Sequence, residues 1–319
     1  MSFLQRPSNL VKADVKSIDP LLVSLLGKCT PHKHEHHITN FIMQLPFVKE
    51  NSKYRAHDKE MHNQIIVVGD SNTLFSCHMD IVGSVTKGNS DKNTIDTIFL
   101  MEQDKPDITN SGIYYGAKGF YSTVNPTLID TFTGCSLGAD DKVGVYILLK
   151  MIEANIPGTY VFHTGEECGG LGSKSLVENH AKLFKNIERA IAFDRAGYGD
   201  IINFQRNSRC CSKEFGEALA ESLNGYMPPK QQFKSEVHGS FTDTASYTKI
   251  IPECTNISAG YFNQHGSEEH FDYIWLQDYL LPAALAIDYE RLPTNRDPNK
   301  AESPQYFYGN KNFNSTKKA

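Results

Sequence analysis

The sequence contains no apolar run approaching the roughly 20 residues that a membrane-spanning helix needs, so no membrane partner is expected. A disulfide framework is missing too. The seven cysteines are odd in number and irregularly spaced, and Cys210 and Cys211 are adjacent, so reduced thiols in a cytoplasmic setting are expected. The opening residues, MSFLQRPSNLVKADVK, lack the basic-then-apolar order of a secretory leader. There is no excess of positive charge: the formal net charge is −5 with both signs interspersed, which gives nucleic acid no electrostatic footprint. No internal repeat is visible.

The 319 residues, 39% hydrophobic and 22% charged, suffice for one large α/β domain with a substantial core. Apolar spacing at Ile38, Phe41, Ile42 and Leu45 follows one face of a helix. Strands are expected at IIVVG from Ile65, TLFSC from Thr73, TYVFHT from Thr159, RAIAFD from Arg189 and CTNISAGY from Cys254. Helices are expected at Asp140–Ala154, apolar on nearly all sides, and at Lys174–Phe184, Ser212–Asn224 and Leu276–Leu292. This alternation predicts an α/β fold, a mainly parallel central sheet with helices on both faces. Residues 81–135 turn polar and read as an insert of small strands and loops. Residues 296–319 lose periodicity and read as a flexible tail, leaving a single domain over 1–295.

Ligands of such sheets bind beyond the carboxyl ends of the strands. There this sequence places His78-Met79-Asp80, Gly138-Ala139-Asp140-Asp141-Lys142, Gly165-Glu166-Glu167-Cys168-Gly169-Gly170, Asp194, and Asn263-Gln264-His265-Gly266-Ser267-Glu268-Glu269. Imidazoles with several carboxylates make a donor set suited to Zn²⁺, Co²⁺ or Mn²⁺. Five protein ligands exceed what one catalytic zinc with an open position takes, and suit two divalent ions sharing a carboxylate. The spare carboxylates then have work of their own: accepting a proton from water, or fixing the tautomer of a ligating histidine. A spacing of two puts Asp80 on the same strand face as His78.

The set HMD, LGADDKVG, TGEECGGLGS, AFD and NISAGYFNQHGSEEH resembles the co-catalytic zinc exopeptidases, the superfamily of peptidase T, the tetrahedral aminopeptidases and the aminoacylases. The resemblance runs from about Thr30 to Leu292. It implies His78 and Asp194 on a first metal, Glu167 and His265 on a second, and Asp140 bridging both, with a cis bond to Asp141. It further implies Asp80 orienting His78 and Glu166 as general base. His270 rivals His265, which is preferred because it directly follows the GY strand and has Glu269 four residues on. The 71 positions from Asp194 to His265 are too few for the lid domain of some relatives, so no separate lid is expected and an aminopeptidase is favoured over a carboxypeptidase. Three readings stay open. They are a two-metal aminopeptidase or small-peptide hydrolase, an N-acyl amino acid deacylase of the same fold, and a metal-binding module without catalysis. The substrate is a peptide or small amide, and a homo-oligomer is compatible with the resemblance.

One stretch competes for attention. TPHKHEHH, from Thr30 to His37, packs four of the twelve histidines into six positions. Its plainer reading is a polar first helical turn begun by Pro31, ahead of the apolar face at Ile38. A zinc clip from His32 and His36, one turn apart, is the rival reading.

Overall fold

Short β-branched and aromatic runs build the sheet, and their period of two sorts side chains between two cores. The computed structural model describes residues 19–26, 28, 30–82, 108–109, 112–113, 137–265 and 269–300. Most of the expected insert, and the tail beyond 300, lie outside these. Nine strands form the main sheet: β1 (Tyr54–His57), β2 (Gln64–Val68), β3 (Thr73–His78), β4 (Gly158–His163), β5 (Arg189–Arg195), β6 (Asp200–Gln205), β7 (Ser208–Arg209), β8 (Lys234–Gly239) and β9 (Glu253–Ser258). Their spatial order is β1-β2-β4-β3-β5-β9-β6-β8, with β7 beside β6. The heart of the sheet, β4-β3-β5-β9, is parallel, as is β8 on β6. Antiparallel pairs flank it: β1-β2, β2-β4, β9-β6 and β6-β7.

Alternation along the strands divides the interior. After the short helices α1 (Pro20–Leu26), α2 (His36–Gln44) and α3 (Pro46–Asn51) comes α4 (Ala139–Glu153). Ile66, Phe75, Cys77, Tyr160, Phe162, Ile191 and Phe193 face the larger core with α4, whereas Ile65, Leu74, Val161 and Ala190 face a smaller one. Helix α4 is buried on nearly every side, as its all-round apolarity predicts. Gly144 inside it has a specific reason. A Cβ there would meet the Asp141 carboxylate at 2.3 Å, and that carboxylate accepts the Gly144 N–H at 3.1 Å. Helices therefore cover both faces, and among the described residues no separate lid domain stands apart. No helix among them is long and apolar enough to cross a membrane.

Three expected elements differ in detail. The segment expected as Lys174–Phe184 is an α-helix over Leu171–Asn179 followed by a 3₁₀ turn, Ala181–Phe184. The Asn179 amide turns back onto the Ser175 carbonyl, the local competition that disfavours asparagine within helices. The segment expected as Leu276–Leu292 breaks into a π turn (Leu276–Leu280), an α segment (Leu281–Ala286) and a 3₁₀ turn (Tyr289–Arg291). Pro282 has no N–H and would clash with the carbonyl one turn back, which the wider π turn relieves. The first long helix starts at His36 rather than Pro31, because Pro31 bridges Ile81 and Thr30 bonds across to Met79 and Ile81.

Under the sheet's carboxyl edge lies a buried neutral histidine. His163 Nδ1 is 3.2 Å from Asn63 Oδ1, which also accepts the Thr164 N–H, so Nδ1 carries the proton and Nε2 accepts from the Tyr247 hydroxyl at 2.9 Å. Burial, then the nearby His78, pushes the His163 pKa down to about 3 from 6.5. As pH falls through 6.5 the unfolded chain binds this proton first. The folded state then loses about 1.4 kcal/mol per pH unit until pH reaches about 3. Denaturant titrations between pH 7 and 4 should show that slope in the difference between the parent protein and His163→Gln. A pH-independent difference would remove the assignment.

Candidate metal centre and catalytic cleft

Each chemical side chain sits where an element ends. His78 closes β3. Its Nδ1 donates to the Asp80 carbonyl at 2.9 Å, with Asp80 Oδ1 at 3.6 Å, which leaves Nε2 facing Asp140 Oδ1 at 3.1 Å and Asp194 Oδ1 at 3.6 Å. The tautomer is thus set chiefly by the Asp80 backbone. The Asp80 carboxylate has a second duty: it accepts the Glu166 N–H at 3.0 Å and the Glu167 N–H at 3.1 Å, fastening the turn that carries both glutamates.

That turn follows β4. The N–H groups of Gly169 and Gly170 close it onto the Glu166 carbonyl at 2.7 and 2.8 Å. Gly170 has φ +71°, and a Cβ there would lie 2.5 Å from the Phe241 ring, so two constraints select glycine.

Asp140 opens α4 through a cis bond to Asp141. It presents one oxygen to each histidine: Oδ1 to His78 Nε2 and Oδ2 to His265 Nε2, each at 3.1 Å. His265 Nε2 also lies 2.9 Å from Glu167 Oε1. Glu269 holds this arrangement from behind, its carboxylate accepting the Gly138 N–H at 2.9 Å and the Asp140 N–H at 3.0 Å. Asp194, at the end of β5, accepts from the hydroxyls of Thr242 and of Tyr261, the latter at 3.1 Å. Its backbone is clasped by the Asn256 side chain.

Two donor sets share Asp140, His78–Asp140–Asp194 and Asp140–Glu167–His265, and a third joins His78 to Glu166 and Glu167; the ligand atoms of each lie within 4.8 Å of one another. The electrostatics fit cations between them. Burial, then carboxylate repulsion, pushes Asp194 up to about 6 and Glu166 up to about 9. Asp140 stays low despite its burial, because His265 and His78 bond to it. Contact with Asp140 and Glu167 raises His265 to about 10. Glu167 Oε1 is buried, and its nearest nitrogen, His265 Nε2 at 2.9 Å, is shared with Asp140. Buried carboxylates that outnumber the imidazoles they crowd around make a donor set that suits two divalent ions.

All seven residues singled out in the sequence therefore converge: His78, Asp80, Asp140, Glu166, Glu167, Asp194 and His265. Sequence reasoning did not find Asn256 or Tyr261. An asparagine inside an otherwise apolar strand was the available signal. The histidine-rich stretch lies to one side. His32 Nδ1 is 3.0 Å from Glu35 Oε1, and both approach Asp80. His36, His57 and His62 line a separate groove of about 760 Å³ with His32 and Thr164. No described donor set joins His32 to His36.

No model of a protein family matches this sequence, and no curated protein sequence does. Solved structures do. The dodecamer PhTET1-12s superposes with a TM-score of 0.55 at 16% identity, covering 85% of this chain and 100% of that one. An aminopeptidase from the archaeon Desulfurococcus kamchatkensis gives 0.54 at 16%, covering 87% and 94%. The aminopeptidase PepT from Bacillus cereus gives 0.50 at 14%, covering 83% and 95%. The chain has the fold of these peptidases.

Proposed function

We propose that this chain is a metal-dependent aminopeptidase or small-peptide hydrolase. The observation carrying the reading is Asp140, whose two oxygens each face one histidine of a separate donor set. His78, Asp194 and Asp140 would hold one divalent ion, and Glu167, His265 and Asp140 the other, zinc first, with cobalt or manganese as alternatives. Such ions supply an acidified water and polarise the scissile carbonyl. Glu166 takes the water's proton on its carboxylate and returns it to the leaving nitrogen. Asp80 positions that carboxylate through the Glu166 N–H and, through its own carbonyl, keeps the His78 lone pair on Nε2. Self-association belongs to the reading, in keeping with the dodecameric PhTET1-12s.

The test is amine release from aminoacyl amides with free N-termini and from their N-acetylated counterparts, before and after chelation and zinc or cobalt restoration. Cleavage of the free set alone, restored by metal, is expected. Cleavage of the blocked set alone would transfer the protein to the deacylases, and silence toward both with metals bound would favour a binding module.

A further inference from the structure

Arg195, directly after Asp194 at the end of β5, is not needed for hydrolysis as such. It lines the cleft of about 130 Å³ that Glu166, Asp194 and His265 share with Gln205 and Phe241. Apart from His265, which Asp140 and Glu167 engage, it is the only basic side chain of that lining. Its one ionic partner among the described residues is Asp200, and the pairing is lopsided. Nε at 3.4 Å and Nη2 at 3.1 Å both address Asp200 Oδ2, while Lys234 Nζ stands 3.7 Å from Oδ1. One carboxylate thus faces two cations. The Nη1 donors of Arg195 have no partner among the described residues, and its side chain is 31% exposed.

Gln205 in the same wall supplies an independent sign of a ligand. Its Nε2 donates to Thr244 Oγ1, whose own proton goes to the Thr255 carbonyl, so the amide orientation is fixed. Gln205 Oε1 is left buried without a donor in a residue only 3% exposed. An N–H brought in by a ligand completes it.

We propose that Arg195 receives a carboxylate of the substrate, so that the cleft selects amides bearing a carboxylate close to the scissile bond. The inference rests on the hydrolase reading above. The carboxylate comes either from an acidic N-terminal side chain or from the C-terminus of a dipeptide. A planar guanidinium with a free edge suits either source.

The test uses zinc-loaded full-length protein and two substrate pairs: glutamyl against glutaminyl 4-nitroanilide, and alanylalanine against its amide. At least one carboxylate-bearing member is expected to lead its neutral partner by about tenfold or more in kcat/KM, expressed in KM, the scale of one charge-assisted contact. The pair that shows the preference identifies the source. The ratio should fall toward one in Arg195→Met and recover in part in Arg195→Lys, which keeps charge but not the fork. A parent ratio near one, or a ratio that survives Arg195→Met, overturns the proposal. So does an equal loss for both members with the ratio kept, which marks Arg195 as a mere tether for Asp200. Calorimetric titration of the same proteins with free glutamate and glutamine, and with alanylalanine and its amide, separates the two levels of inference. Glutamate preference abolished by Arg195→Met, without any hydrolysis, retains the receptor and removes the hydrolase. Equal binding in the parent of glutamate and glutamine, and likewise of alanylalanine and its amide, overturns the receptor.

Discussion

Replacing Glu166 with glutamine should lower turnover by about 100- to 10,000-fold while two metal ions stay bound. Glutamine keeps the size of the side chain, so the turn stays fastened: the Glu166 and Glu167 backbone N–H groups still reach Asp80. What disappears is the capacity to hold a proton. Burial pushes the Glu166 carboxyl up to about 9. On the two-metal reading, dications held alongside would favour its ionised form, the state a general base needs. Elemental analysis and unfolding curves alongside the kinetics separate lost chemistry from lost structure. Turnover within a few-fold of the parent would take the proton-transfer role away from Glu166.

Metal content should decline in steps set by how many donor sets a residue serves. Asp140 belongs to both, so Asp140→Ala should bring the protein from two ions to fewer than one. The substitution also leaves His78 and His265 without the carboxylate each faces at 3.1 Å. His265 serves one set only, and His265→Ala should retain one ion of the two. His32 pairs with Glu35 beside Asp80 and touches neither set, so His32→Ala should retain both. Ion counts after dialysis against a defined zinc buffer decide this. Full occupancy in Asp140→Ala would dissolve the shared-carboxylate arrangement, and a lost ion in His32→Ala would bring the histidine-rich stretch into the centre.

The sheet and the converging side chains were legible because both follow local rules. Strand runs such as TLFSC and RAIAF declare themselves by composition, and polar residues at their carboxyl ends have one place to gather. The helix at Ala139–Glu153 was legible for the same kind of reason, being apolar on almost every side. Less legible was anything decided by partners distant in sequence. Asp80 was expected to orient His78 through its carboxylate. The closer contact is the Asp80 backbone carbonyl, and the carboxylate turns to Glu166 and Glu167, 86 and 87 residues away. The clasp of Asn256 on Asp194 spans 62 residues and leaves no periodic trace. The helix expected from Pro31 misplaced its start because Pro31 is taken up by Ile81 in the strap beside β3, a tertiary pairing that overrides the residue's local preference.

The grip of Glu269 on Gly138 and Asp140 joins points 131 and 129 residues apart. A chain emerging from the ribosome therefore delivers His78, Asp140, the two glutamates and Asp194 well before His265 and the carboxylate that holds the Asp140 loop. Until those last residues arrive, the growing chain offers cations the His78–Asp140–Asp194 set but lacks His265 for the Asp140–Glu167–His265 set, and the loop is not yet braced. On the two-metal reading proposed above, loading of the second ion is a late event of synthesis, dependent on long-range contacts that close slowly. Premature termination between Asp194 and His265 would yield a product with at most half a centre, however much of the sheet had formed.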